Sequence, residues 1–139
     1  PSGDPMTLAR RPTVWASLAL GVLDLSRAHA WGTGEMARYE HVGILGVIPP
    51  PITAGRFALA GLAMLAAYLS MPCRIIGVSL TAGLHATVAI SAAAAYLDPG
   101  SKVLLSTVGS YGAIAILTLL IARMTDNITV LEGMPDADR

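Results

Sequence analysis

The stretch SLTAGLHATVAISAAAAYL, residues 79–97, contains no charged side chain and one histidine, His85. It lies inside a longer segment, residues 74–97, whose only charge stands at its first position. A helix needs about 20 residues to cross the roughly 30 Å hydrocarbon core of a bilayer. A surface helix of that length in a soluble protein would carry a charged face. The stretch therefore predicts a membrane-spanning helix with a histidine inside it.

Two further segments share this apolar character. Residues 51–71 contain one charge, Arg56, near their start, and residues 102–124 carry charges only at or beside their ends. Both are long enough to cross a bilayer as helices. The sequence thus predicts an all-α fold, an integral membrane helical bundle with a core of three transmembrane helices over residues 51–124.

Proline and glycine mark the ends of the predicted helices. Three consecutive prolines, residues 49–51, suit the first turn of a helix but cannot lie in its interior. The breaks MPCR (residues 71–74) and DPGS (residues 98–101) are typical of turns. Because both connections are short, consecutive helices are expected to run antiparallel.

The N-terminal part permits two interpretations. Residues 13–31 begin with an apolar run, but Asp24, Arg27 and His29 precede Trp31. A charge near the bilayer centre costs about 2.5–3.5 kcal/mol, although Asp24 and Arg27 could pair on one helix face. Three spans also give a stronger bias of Lys and Arg to one side of the membrane than four spans do. The sequence therefore favours an interfacial or marginal membrane helix over residues 13–31, with four transmembrane helices as the alternative.

The other segments are more polar. Residues 1–12 are expected to form a polar N-terminus, residues 32–50 a connection, and residues 125–139 a polar acidic tail. Nine basic and nine acidic residues give a net charge of zero, so there is no electrostatic footprint for nucleic acid. A single cysteine, Cys73, excludes a disulfide within the chain.

Small side chains recur at helical spacing along two of the predicted membrane helices. In lipid there is no hydrophobic gain from helix association, so small residues promote packing by letting backbones approach closely. The predicted packing positions are Ser79, Gly83, Thr87, Ser91 and Ala95 on one helix, and Ser106, Gly109, Ser110 and Ala113 on the next. The alternative is an alanine-rich composition without a packing role.

His85 is the residue of chemical interest inside the membrane segments. It lies two residues from Gly83 and Thr87, so it points about 160–200° away from their stripe. An ionisable residue inside the membrane is a functional candidate by default. Three interpretations stay open: a neutral imidazole bonded to another helix, a proton relay with Thr81 or Tyr111, and an axial ligand of haem iron.

Residues 56–100, RFALAGLAMLAAYLSMPCRIIGVSLTAGLHATVAISAAAAYLDPG, carry a family resemblance. In the small membrane-anchor subunit of succinate dehydrogenase, respiratory complex II, the first span ends near Ala-Ala-Tyr-Leu and a Pro-Cys-like break. Here AAYL stands at residues 66–69 and PC at residues 72–73. The second span of the family carries Ser-Leu and then Leu-His, matched by residues 79–80 and 84–85. The chain resembles that family over residues 56–100.

The resemblance implies cofactors and site residues. His85 would be an axial ligand of the haem b iron, with the other ligand supplied by a second membrane-anchor subunit. Tyr96 would help to bind ubiquinone, although the family has an aspartate before this tyrosine and this chain has Ala95.

The resemblance also implies a function and a location. The chain is expected to be a non-catalytic anchor subunit of succinate:quinone oxidoreductase, contributing to electron transfer. It would hold the iron–sulfur and flavoprotein subunits at the mitochondrial inner membrane, as a multi-pass protein, or at a bacterial cell membrane. Two other classes stay open: an accessory or assembly subunit of another membrane complex, and a holin-like phage membrane protein.

Overall fold

The computed structural model describes residues 12–35, 48–67, 69–100, 103 and 105–132. These residues form four α-helices and contain no strand: α1, Pro12–Gly32; α2, Pro50–Leu65; α3, Met71–Tyr96; and α4, Leu105–Glu132. The predicted all-α fold is confirmed for this part of the chain. Residues 1–11 of the predicted N-terminus (1–12) and residues 36–47 of the predicted connection (32–50) lie outside the described residues.

Among the described residues, two helices are long and apolar enough to cross a membrane, Pro72–Tyr96 in α3 and Leu105–Met124 in α4. Three transmembrane helices are not confirmed. The predicted span 51–71 differs most, because α2 has 16 residues and ends at Leu65. At about 1.5 Å per residue such a helix is roughly 24 Å long, short of the bilayer core.

The early end of α2 has a local cause in the connection to α3. Ser70 is the N-cap of α3, and its hydroxyl accepts a hydrogen bond from the Cys73 N–H at 3.3 Å. Pro72 follows in the first turn of α3, where its missing N–H is harmless. A continuous helix through Pro72 would lose a hydrogen bond and clash one turn back, so α2 ends first.

The other predicted bounds agree more closely. α1 covers the predicted segment 13–31, and α3 ends one residue before the predicted 97. The turn after α3 is fixed by Asp98, whose Oδ1 accepts from the Gly100 N–H at 3.2 Å. α4 continues to Glu132, into the predicted polar tail, and residues 133–139 lie outside the described part.

Close contacts fix the directions of the helices. Gly21 of α1 faces Gly61 of α2, and Gly32 faces Ala54, so these two helices run antiparallel. In the same way, Gly77 of α3 faces Met64, while His85 faces Phe57, which makes α3 antiparallel to α2 and parallel to α1. α4 packs mainly on α3, with a lighter contact to α1.

The core lies between the four helices, nearer the end formed by the last turns of α1 and α3. Its buried members are Trp31, Phe57, Val88, Ala89, Ala92, Ala95, Val103 and Tyr111. The chain buries the two apolar helices to different extents. Within the most apolar 18 residues of each helix, 39% are buried in Pro72–Tyr96 but only 17% in Leu105–Met124. α4 therefore presents most of its apolar surface outward.

Candidate functional site

Three polar side chains meet in the interior of the bundle. Asp24 comes from α1, and Thr81 and His85 come from α3, where a spacing of four residues places them on one face. All three are 0% exposed. We call these three residues the polar cluster.

Hydrogen bonds join the polar cluster across two helices. The Thr81 hydroxyl donates to Asp24 Oδ2 at 2.5 Å. His85 Nδ1 lies 2.9 Å from the backbone carbonyl oxygen of Thr81. Because a carbonyl can only accept, Nδ1 carries the hydrogen. Nδ1 also lies 3.6 Å from Asp24 Oδ1, which is an electrostatic contact rather than a hydrogen bond.

Aromatic and cationic groups enclose the polar cluster. The ring centroids of Phe57 (α2) and Tyr111 (α4) lie 5.3 Å and 5.4 Å from that of His85. The Arg27 guanidinium carbon stands 4.5 Å from the centroid of the Tyr111 ring, a cation–π contact. All four helices thus contribute to a closed site that contains a carboxyl group, an imidazole and a nearby cation.

Two buried acceptor atoms remain in this site. Asp24 Oδ1 and His85 Nε2 have no hydrogen-bond partner within the described part of the chain. Buried polar atoms are nearly always paired in folded proteins. The polar cluster therefore keeps unused hydrogen-bonding capacity in a region closed to water.

The surroundings of His85 bear on whether it could hold haem. A histidine whose Nδ1–H is held by a backbone carbonyl has the tautomer and orientation of many metal ligands. The packing does not fit haem, however, because the His85 ring is fully covered and lies between Phe57 and Tyr111. In the described ranges no group of three His, Cys, Asp or Glu side chains is placed to hold a metal ion. Ligation of haem b by His85 stays a prediction, and it would require these helices to separate.

Tyr96, the predicted ubiquinone residue, lies apart from the polar cluster. It is the last residue of α3 and is 48% exposed, whereas Ala95 beside it is buried. Eleven residues of helix separate it from His85, about 16 Å along the axis. The structure does not bring the two predicted site residues together, and the quinone role stays a prediction.

The predicted packing stripes divide into covered and uncovered parts. On α3, Ser91 and Ala95 are buried, Thr87 is half-buried, and Ser79 and Gly83 are exposed. The α4 positions, Ser106, Gly109, Ser110 and Ala113, are all exposed. The close helix contacts within the chain occur instead at Gly21, Gly61 and Gly77. A packing role of the exposed positions against another chain stays a prediction.

Thr81 and Tyr111, the predicted relay partners of His85, both lie beside it, and the relay itself stays a prediction. Asp24 was missed as a partner of His85. Asp24 was expected to pair with Arg27 or to stand in water, and the buried contact to Thr81 was not foreseen. A signal was present in the spacing of Asp24, Arg27 and Trp31, which repeats at three and four residues and marks one face of α1. That face is the one turned toward the bundle.

Comparisons of the chain with protein-family models, with curated proteins and with solved structures found no match. The likeness to the complex II anchor thus depends on the short motifs between residues 56 and 100.

Proposed function

We propose that this chain is a non-catalytic membrane subunit that anchors or organises a larger membrane complex. The observation that carries the proposal is the outward face of α4. Ile116 and Leu119 are 61% and 57% exposed, and 17% of the apolar window of Leu105–Met124 is covered by the chain itself. Apolar surface left in water costs about 25 cal/mol per Å². Lipid or another protein must cover this helix.

The interior supports a non-catalytic role. Asp24, Thr81 and His85 are closed to solvent by their own chain, so a soluble substrate has no access to the only cluster of buried titratable groups that the described residues form. The accessible part of the bundle is its apolar outer surface. That distribution suits a protein that acts through contacts with lipid and with other subunits.

The specific assignment that we favour is the anchor subunit of a succinate:quinone oxidoreductase, on the motifs of residues 56–100. The chain would then hold flavoprotein and iron–sulfur subunits to the bilayer together with a second anchor subunit. Exposed Tyr96 at the end of α3 supports a contribution to a ubiquinone site, since amphipathic rings prefer the headgroup level and a phenol can donate a hydrogen bond to a quinone carbonyl. The anchoring role itself requires no haem at His85.

A second candidate is an accessory subunit of a different membrane complex. The enclosed position of His85 favours it, because a subunit that shares a haem with its neighbour needs its ligand at the interface. Such a subunit would act only through its outer helix faces.

Gentle extraction tests both candidates. The full chain, tagged at one end, is purified from native membranes in mild detergent, and the co-purifying subunits and the reduced-minus-oxidised spectrum are recorded. A flavoprotein with succinate-oxidising activity is expected for the anchor, and other membrane subunits without that activity for the accessory role. Recovery of the chain alone would contradict both.

A further inference from the structure

Helix α1 has an inverted distribution of charge for a helix at a water interface. Its exposed positions, Trp15, Ala19, Val22, Ser26, His29 and the last residue Gly32, follow one another at helical spacing and contain no Asp, Glu, Lys or Arg. Trp15 and Val22 are each 62% exposed, whereas Asp24 is 0% exposed. A helix that lies on a membrane surface turns its charges to water and its apolar face inward. α1 does the reverse.

The register of α1 against α3 sets its depth. Asp24 contacts Thr81 and His85, which lie near the middle of the candidate span Pro72–Tyr96. α1 has 21 residues, about 31 Å at 1.5 Å per residue, which matches the hydrocarbon core. If α3 crosses the membrane, its parallel neighbour lies at the same depth. The chain must then return between them through α2, which is shorter, together with the residues that flank it.

We propose that α1 is a membrane-spanning helix and that the Asp24–Thr81 contact is an intramembrane clasp that holds its carboxyl group inside the bundle. In this clasp the Thr81 hydroxyl donates to Asp24 Oδ2, and His85 Nδ1 lies 3.6 Å from Asp24 Oδ1. Arg27, on the same face of α1 and against Tyr111 of α4, is the other charged group at this site. Phe57 faces the site from α2 and is apolar. The bundle thereby hides Asp24 from lipid completely and places the half-buried Arg27 against Tyr111.

This inference rests on the membrane part of the proposed function. Cysteine labelling can test the insertion of α1 separately from the membrane assignment of α3. In a Cys73→Ser background, single cysteines replace Val22 on α1, Ile90 on α3 or Glu35 after α1, and native membranes, opened to both sides, are treated with a membrane-impermeant maleimide. Val22 and Ile90 have nearly equal exposure, 62% and 63%. Both cysteines should react at least about tenfold more slowly than the one at Glu35, because a thiolate does not form readily in apolar surroundings.

Each outcome has a distinct meaning. Slow labelling at Ile90 with fast labelling at Val22 would overturn the insertion of α1 and leave the membrane assignment of α3 intact. Fast labelling at both positions would overturn the membrane assignment as well. Slow labelling at both positions supports the membrane assignment of α3 and the insertion of α1.

The clasp has its own test in the Val22→Cys protein. Thr81→Val, which removes the hydroxyl with little change of shape, should speed labelling several-fold. Thr118→Val is the matched control, because Thr118 is equally buried but donates to Ile114 of its own helix. Adding Asp24→Leu to Thr81→Val should restore slow labelling, since no carboxyl group then needs a partner. An unchanged rate in Thr81→Val, or no restoration in the double variant, would overturn the clasp.

Discussion

The contact between α1 and α2 and the outward face of α4 use glycine in opposite ways. A Cβ at Gly61 would lie 2.8 Å from the Gly21 carbonyl oxygen, and one at Gly21 would lie 3.0 Å from that of Gly61. A Cβ at Gly109 or Gly112 of α4 would meet no atom of the described residues within 4 Å. Gly21 and Gly61 allow two helices of this chain to approach closely. Gly109 and Gly112 could allow such an approach only to a helix of another molecule. Spacing alone does not distinguish the two cases.

Gly61→Leu should have the largest effect on the isolated chain. The new side chain would overlap the α1 backbone and Leu25, so the free energy of unfolding should fall by about 3 kcal/mol, the upper end of the usual cost of overpacking. Denaturant titration in detergent micelles, followed by Trp fluorescence, measures it.

The control for this change is Gly55→Leu on the same helix. Gly55 is exposed and has open space around it, so the change should stay within about 1 kcal/mol of the original protein, the size of a helix-propensity effect. Equal losses in the two variants would show that the Gly21–Gly61 approach is not what joins α1 to α2.

Thr81→Val should have the next largest effect. The variant leaves the buried Asp24 carboxyl group without its hydroxyl donor, and an unsatisfied buried polar group costs about 1–3 kcal/mol. Thr118→Val removes a bond to a carbonyl of its own helix at 2.8 Å, and that carbonyl still accepts the backbone hydrogen bond of the helix, so the loss should be smaller. The same titration compares the two variants. A loss in Thr81→Val no greater than in Thr118→Val would mean that the polar cluster does not stabilise the bundle.

Much of the fold could be predicted because apolar runs, and the prolines and glycines that end helices, are local signals. Pro72 and the DPGS turn bound α3 within three residues of the predicted segment at each end. The predicted end of α2 was wrong because the apolar run continues through residues 66–71. Only the Ser70 cap and the restriction before Pro72 interrupt it, and a hydropathy pattern does not record either.

The candidate site was predictable only in part. His85 is conspicuous as the single ionisable residue in a long apolar run. Its link to Asp24 passes through Thr81, and the Asp24–Thr81 bond joins residues 57 positions apart. Such a contact depends on how α1 and α3 are each placed against α2, and a threonine in an alanine-rich helix gives no sign of it. The burial of Asp24 therefore required the structure.

Gly109→Leu should have the smallest effect on the isolated chain and a clear effect on its assembly. Because the site is open, stability should change by no more than about 1 kcal/mol, as for Gly55→Leu. A leucine would nevertheless keep a partner helix from close approach to the small residues of α4. Recovery of co-purified subunits from native membranes should then fall several-fold in Gly109→Leu and stay unchanged in Gly55→Leu. If both variants retain their partners, lipid covers the α4 face. Gly109 then faces lipid, whereas Gly21 and Gly61 face each other.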